Sequence, residues 1–446
     1  MEDLETRRSE IESLLETGSD ATLRAAVADL HPADTAELIE GLESYDQQLR
    51  VFGLLDAEHA SEALRDMNEA TQASLVESLS NARVAAVVER LDSDDAADLL
   101  GEVPEHRQRE ILDRANPEVS RDVEELLAYP EDSAGGIMKT EVAMVAADES
   151  VGGTTDTLRA RKDEFHDVHN VFVVDPKHRL LGLVPLRRLL LADDGTPVSD
   201  IMERDVVSVG VEVDQEEVAH LFEKYDLLSL PVVDALDRLV GRITIDDIVD
   251  VIEEEATEDM LAMAGVADEA LTPVPPLESV RTRLPWLALN LVAATAGAMT
   301  ISLFEDTIRQ VAVAAGLMTI VASQGGNAAA QTMTLIIRGL AVGDLRPSQA
   351  GGILARECAT AATNGAVLGL LAGGVTYAWR GDAMLSGVLA GAMVLNLLVA
   401  AVTGSLIPLG LRALGVDPAV SSSVLVITAT DILGFFVFLG LLTLAL

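Results

Sequence analysis

The chain has 446 residues, of which 49% are apolar, and its 73 acidic against 31 basic side chains give a formal net charge of −42. A charge that negative argues against nucleic acid or an anionic membrane surface as partner, since both would repel it. The one cysteine, Cys358, excludes an intrachain disulfide and a multi-thiolate metal site.

The charge is unevenly placed. From Leu284 onward seven acids face six arginines, so the first 283 residues hold the other 66 acids against 25 bases, a net of −41. An acidic soluble part is therefore followed by a nearly neutral apolar part. Only four of the bases are lysines (Lys139, Lys162, Lys177, Lys224) and acids are spread everywhere. The bulk charge thus reads mainly as adaptation to a salt-rich, halophilic cytoplasm, and an acidic cluster here is not by itself a metal site. The start, MEDLETRRSE, lacks the apolar core of a signal peptide, so the soluble part is expected in the cytoplasm.

Residues 1–129 read as short helices in a small α-superhelical domain. Leu30-His31-Pro32-Ala33-Asp34, Leu55-Asp56-Ala57-Glu58-His59 and Leu91-Asp92-Ser93-Asp94-Asp95 share one design. A Leu ends one helix, a polar residue caps the next, and Ala/Leu spacing gives that helix an apolar stripe. No catalytic constellation occurs in it, and His31 and His59 read as structural residues at or near caps.

Tyr129-Pro130 breaks the helical pattern, and strand–helix alternation follows in two copies about 59 residues apart. Val171–Asp175 with Leu180–Val184 is one copy, and Leu230–Asp234 with Leu239–Thr244 is the other. With the openings Ala134-Gly135-Gly136-Ile137-Met138 and Val198-Ser199-Asp200-Ile201-Met202, the pair (130–197 and 198–248) resembles tandem cystathionine-β-synthase (CBS) domains. Thr244 and Asp247 are similar to that family's Thr-x-x-Asp ribose contact. The first copy has Pro185-Leu186-Arg187-Arg188 at the matching place. The pair holds an adenine nucleotide such as ATP or is purely structural, and both readings stay open.

Residues 249–283 form a connecting element, beginning with a helix dense in acids (Asp250, Glu253, Glu254, Glu255, Glu258, Asp259) and ending in a Pro-rich linker, Leu271 to Pro276. The helix is a solvated face on its own. Its place before the first membrane segment makes it a candidate coupling element.

From 284 to 446, five apolar stretches follow, at about 284–304, 311–337, 353–379, 383–410 and 421–446, predicting a five-helix transmembrane bundle. With the soluble part inside, Arg281, Arg283, Arg338, Arg346, Arg356 and Arg412 fall at cytoplasmic ends and Arg309 and Arg380 outside, which fits the positive-inside rule and puts the C-terminus outside. In the second stretch Gln324, Asn327, Gln331 and Thr334 make a polar stripe on one helical face. Asn396, Pro408 and Glu357, beside Arg356, are secondary candidates. The last stretch places Asp431 near mid-membrane, at a cost of about 2.5–3.5 kcal/mol, so it faces a watered, protein-lined path or bonds a neighbouring helix. Thr428 shares its face, and Gly434 lets a neighbour approach closely.

Superhelix, CBS pair, acidic connecting helix and five membrane helices, in that order, resemble the MgtE family of magnesium channels and transporters over essentially the whole chain. The most specific pieces are Gly325-Gly326-Asn327 with Gln331, Glu255-Ala256-Thr257-Glu258-Asp259, Leu414-Gly415-Val416-Asp417-Pro418-Ala419 and Thr428-x-x-Asp431-x-x-Gly434. The resemblance implies a homodimer in the lipid bilayer with its pore between subunits. Asp431 of both chains would face hydrated Mg²⁺, with Asn327, Gln331 and Thr428 as further pore residues. Asp417, at the cytoplasmic mouth, would approach Glu258 or Asp259, with Glu255 nearby, when the gate is closed. Acids on the superhelix (Asp94, Asp95, Asp98) and the second CBS copy (Asp214, Glu216, Asp226, Asp247, Asp250) would repel when Mg²⁺ is scarce and be bridged when it is plentiful.

Other classes fit less well. A CBS-regulated anion channel conflicts with Asp431, and a membrane metalloprotease needs a His-Glu-x-x-His pair, whereas no His follows His220. The expectation is therefore a transporter and not an enzyme. A non-transporting membrane sensor and a broader carrier of Co²⁺ or Ni²⁺ remain as alternatives.

Overall fold

A computed structural model describes residues 2–162, 168–264, 266, 276–341, 345 and 350–446. The expected linker (except Pro276) and Arg346 lie outside the described residues. The chain forms two compact units, Met1–Ile252 and Glu253–Leu446.

The first unit begins with helices α1–α10, from Glu2–Thr17 (α1) to Pro117–Leu126 (α10), with α8 at Ser93–Gly101. Ser19, Ser44, Asp56, Asn68 and Ser80 each accept a hydrogen bond from the backbone N–H three residues on, satisfying a donor that the first turn leaves orphaned. His31 caps the helix Pro32–Glu40, and His59 Nε2 lies 2.9 Å from Thr35 Oγ1, in the expected structural roles. One face of each helix is buried, with Phe52, Leu64, Leu75 and Leu100 almost wholly excluded from solvent. The same core continues without a break into Phe222, Leu230, Val232 and Ile243 of the second CBS copy.

The first copy is a three-stranded sheet of β1 (Met144–Ala146), β2 (Asn170–Val174) and β3 (Leu180–Pro185), with helices α11 (Val151–Ala160) and α12 (Leu186–Leu191). The second repeats it with α13 (Val198–Ile201), β4 (Val209–Gly210), α14 (Gln215–Tyr225), β5 (Ser229–Val233), β6 (Leu239–Thr244) and α15 (Ile245–Ala264). In each, the first strand runs parallel and the third antiparallel to the middle one. β1 and β4 are three and two residues long, too short to leave an alternating pattern in sequence. Residues 59 apart meet across the pair. Asn170 Nδ2 donates to Ser229 Oγ at 2.8 Å, and His178 and Asp237, both in the left-handed region, occupy equivalent turns whose backbones bond to the opposite copy.

The second unit holds α16 (Pro276–Ser302), short α17 (Glu305–Gln310), α18 (Ala314–Ala341), α19 (Ala350–Arg380), α20 (Ala383–Ala413) and α21 (Pro418–Ala445). Four of the five long helices are long and apolar enough to cross a membrane. The exception, α18, carries Ser323, Gln324, Asn327, Gln331, Thr332 and Thr334, which lower its hydropathy. α20 is central, packed against α18, α19 and α21, while α16 packs on α21. Gly365, Gly369 and Gly373 let α19 lie against α20; a Cβ on Gly369 would sit 2.6 Å from the Ala390 carbonyl oxygen.

The Asn170–Ser229 bond ties the two copies. A cycle of Asn170→Ala, Ser229→Ala and the double variant should give a coupling energy of about 0.5–1.5 kcal/mol in chemical denaturation of the soluble unit.

Candidate functional site

The polar residues of the bundle fall on α18, α20 and α21. Asn396 of α20 is fully buried; its Nδ2 donates to the Val321 carbonyl at 2.7 Å, and its Oδ1 has no partner among the described residues. The amide is wedged between two glycines. A Cβ on Gly434 of α21 would lie 2.7 Å from Asn396 Oδ1, and one on Gly325 of α18 would collide with Nδ2. Asn396 thus stitches together the two helices that carry the expected pore residues, a larger part than a secondary candidate's.

Asp431 is half-buried on α21 and makes no hydrogen bond or ion pair among the described residues. Thr428, one turn earlier, gives its hydroxyl proton to the Val424 carbonyl at 2.6 Å, so toward any other group its oxygen can act only as an acceptor. On the adjacent α18, Asn327, Gln331 and Thr334 are exposed on the surface of the single chain, and Gln324 is half-buried. Glu357 is buried with its carboxylate 3.4 Å from the exposed Arg356, an ion-pair arrangement rather than a pore-facing one.

The connecting helix is continuous with the second CBS copy. Its last turns, from Glu253, belong to the second unit. Ala262 is buried among Ala329, Met333 and Ile337 of α18, Ala400 of α20, and Ala419 and Val426 of α21. This packing brings Asp259 near Asp417, which caps α21 by accepting from Ala419 N at 2.9 Å. Burial, and then the charges of Asp417 and Glu255, push the Asp259 carboxyl up to about 6. Glu255 is half-buried beside it and Glu258 is exposed on the same stretch.

The expected sensing acids divide into two groups. Asp94 and Asp95 meet Asp247 at a junction between α8 and the first turn of α15, together with Asp92, Asp246 and Lys139. The Lys139 ammonium lies 2.9 Å from Asp247 and 3.2 Å from Asp92. Burial pushes Asp94 well above the usual carboxylate range, with neighbouring Asp95 adding to it; Asp95 is raised to about 7, again mainly by burial, against the pull of Lys139. Burial alone would lower the Lys139 ammonium, but the charges of Asp94, Asp247 and Asp92 outweigh it and raise it. Ser93 adds neutral links, accepting from Thr140 N and donating to Glu141, both at 2.8 Å. Asp98 and Asp250 lie one turn beyond, on the exposed sides of α8 and α15.

Asp214, Glu216 and Asp226 lie elsewhere, at the two ends of α14. Asp214 is its N-cap, accepting from Glu216 N, and Asp226 is its left-handed C-cap. Thr244 and Asp247, the expected ribose contacts, are joined to each other by a 2.6 Å bond from Thr244 Oγ1 to Asp247 Oδ2. With Asp247 Oδ1 on Lys139, both oxygens of that carboxylate already have partners. Sequence reasoning missed Lys139, Asp92 and Asp246. The one signal for Lys139 was its rarity, as one of four lysines.

Two outcomes follow from this geometry. Gly325→Ala should destabilise the detergent-solubilised protein by about 1–3 kcal/mol through overpacking on Asn396, seen as a lower midpoint of thermal unfolding, and Asn396→Ala should recover part of it. Asp259 is raised in the folded state, so its contact is most stable when protonated and weakens as pH rises from about 4 through about 6. With divalent ions chelated, the protection of amides at the end of α15, relative to their intrinsic exchange rate at each pH, should be greater at pH 5 than at pH 7.5, and Asp259→Asn should flatten that difference.

Family models match in the same order as the structural parts: the MgtE intracellular N domain at 30–132, CBS domains at 134–195 and 198–254, and the MgtE divalent cation transporter at 318–441. The magnesium transporter MgtE of Thermus thermophilus is 34% identical over 442 residues, covering 98% of both chains. That of Bacillus subtilis is 30% identical over 430 residues, covering 96% of this chain and 95% of the relative. The crystal structure of the cytosolic domain of the Mg²⁺ channel MgtE in complex with ATP is 36% identical with a TM-score of 0.52, covering 55% of this chain and 99% of that one. With models matching the soluble and membrane parts and relatives matching end to end, the chain belongs to the MgtE family.

Proposed function

We propose that the protein moves Mg²⁺ through the membrane by a path lined by Asp431, Thr428, Asn327 and Gln331, and that Mg²⁺ on the cytoplasmic side closes it. The observation that carries this reading is Asp431, a carboxylate well inside a membrane helix, half-buried and without a partner among the described residues. Lipid cannot solvate it, and neither can lipid solvate the exposed amides of Asn327 and Gln331 on the adjacent helix. A second copy of the chain covering this face gives both sets of groups a watered interior, which supports a homodimer with the pore between subunits. Mg²⁺ surrenders its water reluctantly, so paired carboxylates acting on the hydrated ion make a sensible selector. The model's description as a divalent cation transporter keeps Co²⁺ and Ni²⁺ as competitors to be measured.

The gate is the Asp259–Asp417 approach, with Glu255 and Glu258 beside it. Sensing falls to Asp94, Asp95, Asp98, Asp247 and Asp250 around the α8–α15 junction and to Asp214, Glu216 and Asp226 on α14. Mg²⁺ shifts the gate by its differential affinity for the closed arrangement of these acids. The soluble unit is cytoplasmic and the C-terminus lies outside. ATP at the CBS pair, carried over from the matched cytosolic domain, is part of the same proposal.

Mg²⁺ uptake into vesicles carrying the purified protein tests the reading, with internal Mg²⁺ varied. Wild-type uptake should fall as internal Mg²⁺ rises, and Asp431→Ala should reduce uptake to that of empty vesicles. Equal uptake in the variant would make Asp431 a packing residue. Absence of uptake in both proteins at every internal concentration would favour a non-transporting sensor.

A further inference from the structure

Two stretches far apart in sequence converge on the Lys139 ammonium. Its nitrogen lies 2.9 Å from Asp247 Oδ1, 3.2 Å from Asp92 Oδ2, 3.7 Å from Asp246 Oδ2 and 3.8 Å from Asp94 Oδ2, and its side chain is 5% exposed. The ammonium enters from a fixed point. Lys139 N donates to the Arg242 carbonyl at 2.7 Å, and Arg242 N donates back to the Lys139 carbonyl at 2.9 Å.

One ammonium does not balance the group. Asp92, Asp94 and Asp95 each turn a carboxylate oxygen to within 4.8 Å of the others, and Asp246 and Asp247 add two more charges. Asp94 Oδ1 is buried and has no hydrogen-bond partner among the described residues. A lysine ammonium is a compact point charge with three donors, so it can stand among several carboxylates much as a small cation does, but with a single charge. A hard divalent cation prefers these same oxygens and carries twice the charge.

We propose that Lys139 is the resident cation of this junction, a tethered competitor of divalent ions, and that it sets the Mg²⁺ concentration at which the contact between α8 and α15 responds. The proposal rests on the Mg²⁺-sensing reading above and assigns the regulation of that site. While the ammonium is in place, it offsets part of the repulsion between α8 and the first turn of α15, and a divalent ion is needed to complete the offset. A neutral side chain of similar length leaves five carboxylates facing one another, so the junction loosens and becomes dependent on an added ion.

Hydrogen–deuterium exchange on the full-length protein in lipid nanodiscs tests this, followed at α8 and at the start of α15 in EDTA and over a Mg²⁺ titration. Wild type should be partly protected at both places in EDTA and gain protection as Mg²⁺ is added. Lys139→Met should exchange at least tenfold faster there in EDTA and return to the wild-type rate as Mg²⁺ is added. Lys139→Arg, which keeps the charge, should stay protected in EDTA; in a Lys139→Met/Asp94→Asn double variant, the loss of one carboxylate should restore part of that protection. Lys139→Met protected like wild type in EDTA would overturn the proposal, as would fast exchange that saturating Mg²⁺ leaves unchanged. Failure of the sensing reading has a different signature. In that case wild-type uptake is indifferent to internal Mg²⁺, whatever Lys139→Met does in exchange.

Discussion

Carboxylates held close together with too few cations to offset them are the condition on which this protein's working parts depend. Two such places lie outside the membrane. At the end of α15, Asp259 faces Asp417 and Glu255 and is pushed up to about 6. At the α8–α15 junction, Lys139 stands among Asp92, Asp94, Asp246 and Asp247. Within α21, Asp431 has no partner at all among the described residues. Each arrangement leaves carboxylate charge short of partners, a condition that the arrival of a cation would relieve.

The apolar parts make that strain tolerable. The helical domain and the second CBS copy share one core, which brings α8 and α15 together. In the membrane unit, α20 is the post against which α18 and α21 pack, and its Asn396 fits only because Gly325 and Gly434 lack side chains. Small residues at helix crossings are the usual means of close approach in lipid, where hydrophobic burial no longer drives helices together. The same glycines flank the polar residues: Gly325 precedes Asn327 by two positions, and Gly434 follows Asp431 by three.

Much of this was legible beforehand because it is encoded locally. The five long apolar stretches became α16, α18, α19, α20 and α21, with ends shifted by a few residues where the helices extend into flanking polar sequence. The 59-residue duplication reappeared as two sheets of one topology, and its exactness shows in Asn170 meeting Ser229. The caps at His31 and Asp56 were readable from residue type alone. β1 and β4 were not, since strands of two or three residues have no period to detect, and they exist because a longer neighbour supplies their hydrogen bonds.

Hydropathy, helical spacing and the internal repeat determined the order of the parts, the five long apolar helices and the singular position of Asp431. All of these depend on residues close together in the chain, and the MgtE resemblance rested on the same local motifs. Only the tertiary structure decided which acids lie together. It placed Asp94 and Asp95 with Asp247, separated them from Asp214, Glu216 and Asp226, and set Lys139 in their midst. It also turned Asn396 from one amide among several into the link between α18 and α21. The physical reason is range. A cap or an amphipathic stripe is settled within a few residues, whereas the energy of a charge depends on which other charges and how much water lie within a few ångströms, and the fold alone sets that.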